Sequence, residues 1–568
     1  MEKFRLLTLL LLVLTITFSC DEEKILEEKP LDFLTIENAL VNQDDFGNSV
    51  ISLYDLARRY FGDPNSNTER FDMYLGTDVG FNGRNPSIHQ LSAYEAFTAD
   101  DDFTVNRWRD AYRMIFDANI ILNKINEVEF EDPALKVQYE AETRFFRAWS
   151  YRNLVHLYGD VPLVLEDDTE PEANYTRTPK AEVWAQIISD LNFARDNLPT
   201  VDEVDEDGRL VKAAAYHLLS EMYITTGEYQ NAVDAASWVI DGGDYALMTE
   251  RFGSRTDEPG DVYWDLFRLD NQNRSSGNTE SIWVYQVEYQ TPGGYGAPNG
   301  GDANRYERII GPEYNRFVAK DENPGVRTFI FESTYNGGRG QGFFRTNHLV
   351  THLIWDGDRT NDIRTSDHNI LRRWGVDNPE SAHYGDTIDT WDPDSYYSFI
   401  EPARIEIDTN QRLFPTFLKL TMVNNHFPTE MVDGVGPMMV SGARRLYTDQ
   451  YAMRLAETYL LRAEAYLGLG NPAAAADDIN VVRARAGAPL ATPGEIDIDY
   501  ILDERLRELI FEVPRRLTLA RLGLVYDRTV RYNKYAAPHI QPHNNLYPIP
   551  SRELRVNTEA ELIQNPGY

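Results

Sequence analysis

Three tryptophans stand in polar surroundings: Trp355 in LIWDGDR, Trp374 in RRWGVDN and Trp391 in DTWDPDSYY. An indole offers a flat apolar face, and Arg, Asn or Asp beside it supplies planar groups with several donors or acceptors. A sugar presents both complements, C–H faces that stack and hydroxyls that hydrogen-bond, so these rings are candidate ligand contacts. The same reasoning adds Phe81, Asn82, Arg84 and Asn85 from GFNGRN, and Tyr295 from the glycine-rich GGYGAPNGG. Each tryptophan has an alternative role, anchoring a loop to the body, and Tyr295 has that of a mobile tip. Trp108, Trp149, Trp184 and Trp238 fall on apolar faces of predicted helices, and Trp264 and Trp283 lie beside or within strands, so these six are read as core.

Other chemistries find less support. Glycoside hydrolysis needs two carboxylates roughly 5–9 Å apart, and a chain with 91 Asp and Glu offers many by composition alone. None stands in a catalytic motif; nucleophile elbow, HExxH and P-loop are all missing from the sequence. The expectation is a protein that is not an enzyme and needs no cofactor. DGDRTND (356–362) spaces its oxygens as calcium loops do, but Asn361 takes the place of the loop glycine and Asp367 that of the terminal glutamate. A solvated acidic turn is the better reading, and no metal site is assigned. His539 and His543 are four apart, but Pro538 and Pro542 argue against a helical zinc pair. The net charge of −36 excludes nucleic acid and anionic lipid surfaces as partners. It also means that any acidic ligand requires a local basic pocket.

The single cysteine, Cys20, sits between a greasy run and the acidic DEEK. Lys3 and Arg5 precede thirteen apolar or small-polar residues, Leu6 to Phe18, and Ser19 comes just before the cysteine. Such a run is too short for the roughly 20 residues of a membrane span and suits a signal-peptide core. With a small residue before cysteine it looks like a bacterial lipobox, so Cys20 is the expected lipidation site. The acylated cysteine would carry enough chains for stable membrane attachment.

The scaffold that must position the candidate residues is helical. A first helix is expected from Val41 to Tyr60. Residues 62–104, rich in Gly, Asn, Asp and Pro, read as a long ordered loop, a class that is often functional. Trp108, Ala111, Tyr112, Ile115, Ala118, Leu122 and Ile125 then recur at helical period, as do Ala141, Phe145, Ala148, Tyr151, Val155 and Tyr158. Thr178 as N-cap with Pro179 at the first position predicts a further helix.

Two segments repeat one another. Tyr223, Gly227 and Ala232 recur as Tyr466, Gly470 and Ala475 at identical offsets, the pattern of tetratricopeptide-like helical hairpins. Between them, residues 244–445 are rich in Gly, Asn, Asp and aromatics and poor in helical period, with ESIWVYQVEY (280–289) as a strand. The expected fold is mainly α, a tetratricopeptide-like hairpin scaffold carrying a large irregular lobe of loops and short strands. The expected divisions are a signal peptide (1–19), a lipidated tether (20–40), a helical region with the first hairpin (41–243), the ligand-binding lobe (244–445) and a helical region with the second hairpin (446–568).

Six segments in order then match one family: 107–125, 141–164 (AETRFFRAWSYRNLVHLYGDVPLV), 178–199, 208–240, 455–487 and 501–523, followed by YPIPSRELRVNTEAELIQNPGY at the end. The chain resembles the SusD/RagB family of Bacteroidetes outer-membrane nutrient-binding lipoproteins. It departs from the family at Val513, Pro514 and Thr518, read as scaffold positions. Residues 330–445 follow the pattern only at DIR (362–364), so the resemblance does not carry a ligand across. It implies a cell-surface receptor that binds an oligosaccharide or polysaccharide and delivers it to a SusC-like TonB-dependent transporter. It also implies a lipid anchor in the outer membrane, facing the exterior, and DEEK resembles the surface-export signal of these bacteria. Two alternatives remain open: a helical-repeat interaction scaffold or transporter lid, and a receptor for a non-glycan nutrient such as peptide.

Overall fold

The computed structural model describes residues 39–61, 71–166, 172–288, 291, 305–330, 333, 335–357, 360–421 and 446–568. Cys20 and Tyr295 lie outside these residues. Among the described residues, no helix is long and apolar enough to cross a membrane.

The N-terminal half is built from α1 (Gln43–Phe61), α2 (Asp102–Lys124), α3 (Pro133–Tyr158), α4 (Lys180–Asn197), α5 (Lys212–Thr226) and α6 (Tyr229–Asp241). Local chemistry sets their ends. The Asp132 side chain accepts from the Ala134 amide, 2.9 Å, with Pro133 in the first turn of α3. Gly159, at φ +76°, stops that helix where a side chain would be strained. Helix α4 begins one residue later than the Thr178–Pro179 reading predicted. Thr178 is engaged in a bridge with Val161, and the Asp160 side chain takes the Lys180 amide at 2.8 Å.

The C-terminal half supplies α7 (Leu455–Gly468), α8 (Pro472–Arg485), α9 (Ile498–Leu509), α10 (Arg515–Arg521) and α11 (Val525–Tyr532). The repeated motif is structurally the same in both copies. Gly227 and Gly470 close their helices at φ +80° and +72°, and the following amides bond back five residues, Glu228 to the Tyr223 carbonyl at 2.8 Å and Asn471 to that of Tyr466 at 2.9 Å. Ala232 and Ala475 are buried where the paired helices approach. The hairpins also pack on each other: Ile224, Ala232 and Val233 share one apolar cluster with Leu461 and Ala465. Arg462 reaches from α7 to Asp478 at 2.7 Å and to Asp241 at 3.0 Å. The mainly α scaffold of tetratricopeptide-like hairpins is therefore what the molecule has.

The intervening lobe has its own small core. Strand β2 (Ser281–Tyr285) pairs antiparallel with β8 (Gln450–Arg454), so the segment between them, 286–449, leaves and returns on adjacent strands. Beyond it, β1 (Gly80–Asn82) pairs with β3 (Phe344–Thr346), β4 (Ile370–Leu371) with β7 (Thr416–Phe417), and β5 (Arg373–Gly375) with β6 (Thr387–Asp389). Tyr314, Phe317, Phe329, Trp374, Ile388 and Leu413 form an apolar cluster between these ribbons.

A buried ionic seam joins lobe to scaffold. Arg364, in the DIR segment, pairs with Asp362 (2.7 Å), Glu504 (2.8 Å) and Glu508 (3.0 Å). Arg454 of β8 reaches Glu280, Glu508 and Glu512 at 3.1, 2.7 and 2.5 Å, and Arg485 of α8 meets Glu280 and Glu508. Lys419 from the lobe adds Glu512 at 2.6 Å. Removing such charges from water costs several kcal/mol each, so the seam holds only because every member is matched. Burial pushes the Glu504 carboxyl up, but Arg364, Arg507 and Arg483 outweigh it and hold the group down at about 2.

Candidate functional site

The loop that carries Phe81 is pinned from the far end of the chain. Arg515 of α10 forks onto Asp78 at 2.9 and 2.6 Å, and Arg528 of α11 adds a third contact at 2.9 Å. Burial pushes the Asp78 carboxyl up, yet these two guanidiniums keep it below its ordinary value. The Asn533 side-chain amide donates to the carbonyls of Thr77 (2.8 Å) and Gly80 (3.0 Å). These contacts satisfy the loop's charge and two of its carbonyls, and β1 pairs with β3 in the register Gly80–Thr346, Phe81–Arg345 and Asn82–Phe344. Gly80 is needed there because a Cβ would fall 2.3 Å from the Arg345 carbonyl.

That register sets Phe81 opposite Arg345. Both line a cleft of about 330 Å³ between the lobe and the end of α11. Its other walls come from His348 and His352 of the turn after β3, from Trp391, Tyr396 and Tyr397 around helix Pro393–Ser398, and from Asn410, Tyr532 and Lys534. The Trp391 indole N–H donates to the Thr351 carbonyl at 2.5 Å. The Arg372 guanidinium lies 3.4 Å over the ring and covers one of its faces. The His348 and His352 rings stack at 4.6 Å, and His352 tilts against Trp391 at 5.7 Å. Phe81 packs edgewise on Tyr535 at 4.6 Å, and the Tyr535 hydroxyl accepts from Asn410 at 2.7 Å. Tyr397, half of its surface exposed at 50%, forms the rim.

The half-buried Arg345 donates from Nε to the Thr409 carbonyl at 3.0 Å and from Nη1 to Thr346. Among the described residues it meets no carboxylate, and burial lowers its guanidinium to about 10, still cationic at neutral pH. Aromatic faces, hydroxyls, amides and cationic groups thus converge on one hollow, the chemistry of a polar ring-shaped ligand.

The structure places Phe81 and Trp391 in the lining of one cleft, 310 positions apart in the sequence, with Phe81, at 4% exposed, as buried as Asn82. The other expected contacts go elsewhere. Trp355 and Trp374 are both 0% exposed, a correction to their reading as ligand platforms. Trp355 donates its indole N–H to the Val350 carbonyl at 2.9 Å within the main core, and Trp374 fills the lobe core against Tyr314 at 5.3 Å. They take the anchoring role. Asn82 is buried, and its carbonyl oxygen is committed to the amides of Arg84 and Asn85, both at 3.0 Å. Arg84 is held by Glu313 (3.1 Å), by the Gln341 carbonyl (2.8 Å) and over the Phe343 ring. Asn85 is exposed but does not line the cleft.

Arg345, His348, His352, Asn410, Tyr532 and Lys534 were not among the candidates. NKY (533–535) carried the signal in part, a lysine and an aromatic just past a helix end, but only the tertiary register sets it against GFN. Among the described residues, no group of three or more His, Cys, Asp or Glu is arranged to hold a metal ion.

Comparison with known proteins follows this geometry. Residues 48–224 match a family model described as "Starch-binding associating with outer membrane", and residues 421–568 match the SusD family. SusD-like protein P25 of Formosa agariphila is 24% identical over 97% of both chains. The starch-binding protein SusD of Bacteroides thetaiotaomicron is 26% identical over 78% of this chain and 75% of its own. A solved laminarin-binding SusD-like protein superposes with a TM-score of 0.65, at 23% identity, covering 93% of this chain and all of that one. These last two are named for what they bind and not for a reaction.

Proposed function

Because the chain belongs to the SusD family, we propose that it is a cell-surface lipoprotein that binds an oligosaccharide or polysaccharide nutrient and passes it to a SusC-like TonB-dependent transporter. The observation that carries the binding half is the cleft, where Phe81, Trp391 and Tyr397 meet hydroxyl and amide groups on a wall fixed by the scaffold. Relatives named for starch and laminarin binding support the same reading. Acylation at Cys20 after removal of residues 1–19, a tether over 20–40, and a lobe that carries the ligand on a frame of two helical regions complete the proposal. No catalysis is assigned to it.

Calorimetric titration of the protein against plant, host and microbial polysaccharides and their oligomers tests the reading. Binding to one class, weakened by Trp391→Ala with folding retained, is expected. Failure to bind any glycan, with tight co-purification of other lipoproteins, would favour the interaction-scaffold alternative.

A further inference from the structure

The cleft differs from the rest of the molecule in one property that bears on what it holds. Acidic residues outnumber basic ones 91 to 55 in the chain, yet none of the sixteen described residues lining this cleft is Asp or Glu. At the chain's own composition a wall of that size would carry about two or three carboxylates. The basic side chains present among the described residues are Arg345, Lys534, His348 and His352. The nearby carboxylates are directed elsewhere. Asp389 accepts from the Trp391 amide at 2.8 Å, Asp392 caps the helix at Pro393, and Asp408 is buried against Arg404 at 3.0 Å and Arg412 at 3.3 Å.

Two of the cations meet aromatic rings but no carboxylate among the described residues, Arg345 lying 4.8 Å over the Phe414 ring. Lys534 is exposed and lies 4.7 Å over the Tyr535 ring, and among the described residues neither it nor Arg345 forms an ion pair. Among the described residues Nη2 of Arg345 has no hydrogen-bond partner, while Nε and Nη1 are tied to backbone carbonyls. A guanidinium held by its Nε and Nη1 and open at Nη2 is oriented in advance for an oxyanion. In a molecule whose overall field repels anions, a wall swept clean of carboxylates serves a ligand that carries negative charge. A neutral sugar would gain nothing from it.

We infer that the glycan taken by this cleft is anionic, with sulfate ester or uronate groups set against Arg345 and Lys534 while a sugar ring lies on Trp391. The inference rests on the glycan-binding reading above and deepens it. The test titrates the detergent-solubilised full chain with backbone-matched pairs: dextran and dextran sulfate, laminarin and laminarin sulfate, polygalacturonate and its methyl ester. The first two pairs report sulfate and the third carboxylate.

The expected result is binding to the charged member of at least one pair, about tenfold or more tighter than to its neutral partner. Lys534→Gln should lower that affinity about tenfold and Lys534→Arg should restore it; Lys534 is exposed, so folding is not at stake. Arg345→Gln should act in the same direction. Equal or tighter binding to the neutral members, unmoved by Lys534→Gln, would overturn the anionic ligand and leave glycan binding standing. Absence of binding to all six would overturn both.

Discussion

The seam between lobe and scaffold and the cleft lined by Phe81 and Trp391 use basic residues in opposite ways. In the seam, Arg364, Arg454 and Arg485 are buried and each meets at least two carboxylates. In the cleft, Arg345 and Lys534 meet none among the described residues. Charges closed on themselves make architecture; charges left open toward water make a surface that something else can complete. The aromatic residues divide similarly, Trp374 spent inside the lobe and Trp391 turned to its edge.

The contrast can be broken most forcefully at the seam. Arg364→Met leaves Asp362, Glu504 and Glu508 without a shared partner in a dry interior, and should lower stability by about 3–5 kcal/mol in chemical denaturation. An effect below 1 kcal/mol would show that the seam is dispensable. Trp374→Ala should cost a similar amount, about 3–5 kcal/mol, because it empties the centre of the lobe core. Any ligand affinity it loses should track unfolding, whereas Trp391→Ala should lose affinity in a protein that stays folded.

Acid separates the regions next. Glu504 is held at about 2 by its arginines against an ordinary value near 4.3 in the unfolded chain. A depressed carboxylate contributes its stability above the unfolded value and loses it as pH falls toward the folded one. Unfolding midpoints should therefore drop between about pH 4.3 and 2, and Glu504→Gln should flatten that slope while lowering stability at neutral pH. A slope unchanged in Glu504→Gln would place the acid sensitivity elsewhere.

Smaller effects sharpen the picture. Trp391→Ala removes one stacking face, worth about 1.5 kcal/mol, or about a tenfold loss of affinity. Gly227→Ala and Gly470→Ala introduce a side chain at φ +80° and +72° with no neighbour within 4 Å. Each should cost about 1 kcal/mol, and nearly the same amount if the hairpins are equivalent in energy as they are in geometry. Unequal losses would mean that one copy is held mainly by its neighbours.

The scaffold was legible because its signals are local. Helical period reports which face is buried, and the Tyr–Gly–Ala spacing reports a turn that uses the same backbone bonds in both copies. The lobe's irregular character and its strand at Ser281–Tyr285 were legible too, but its strand pairings were not, because the strands are two to five residues long and their partners far apart. Trp374 is flanked by exposed Arg373 and Gly375; three residues of alternation look polar in a sequence and hide a buried ring. Trp355 looks polar in the sequence for a related reason, its neighbour Asp356 being exposed while the indole is buried. Phe81 and Trp391 were legible as types, but their place in one cleft depends on β1 pairing with β3, which no local pattern announces. The seam leaves no local signal, because Glu504 and Glu508 find their arginines on other elements, Arg364, Arg454, Arg483 and Arg485.

Strands β2 and β8 lie side by side where the segment 286–449 departs and returns. For the rest of the chain, everything between them is a loop whose ends are already joined. The entropy of closing such a loop rises only with the logarithm of its length, about 0.6 kcal/mol for each doubling. Lobes of very different size can therefore hang from one helical frame at nearly constant thermodynamic expense, provided each brings acids and bases that fit the seam. The strand pair makes the recognition surface exchangeable, and the seam sets the condition an exchanged lobe must meet.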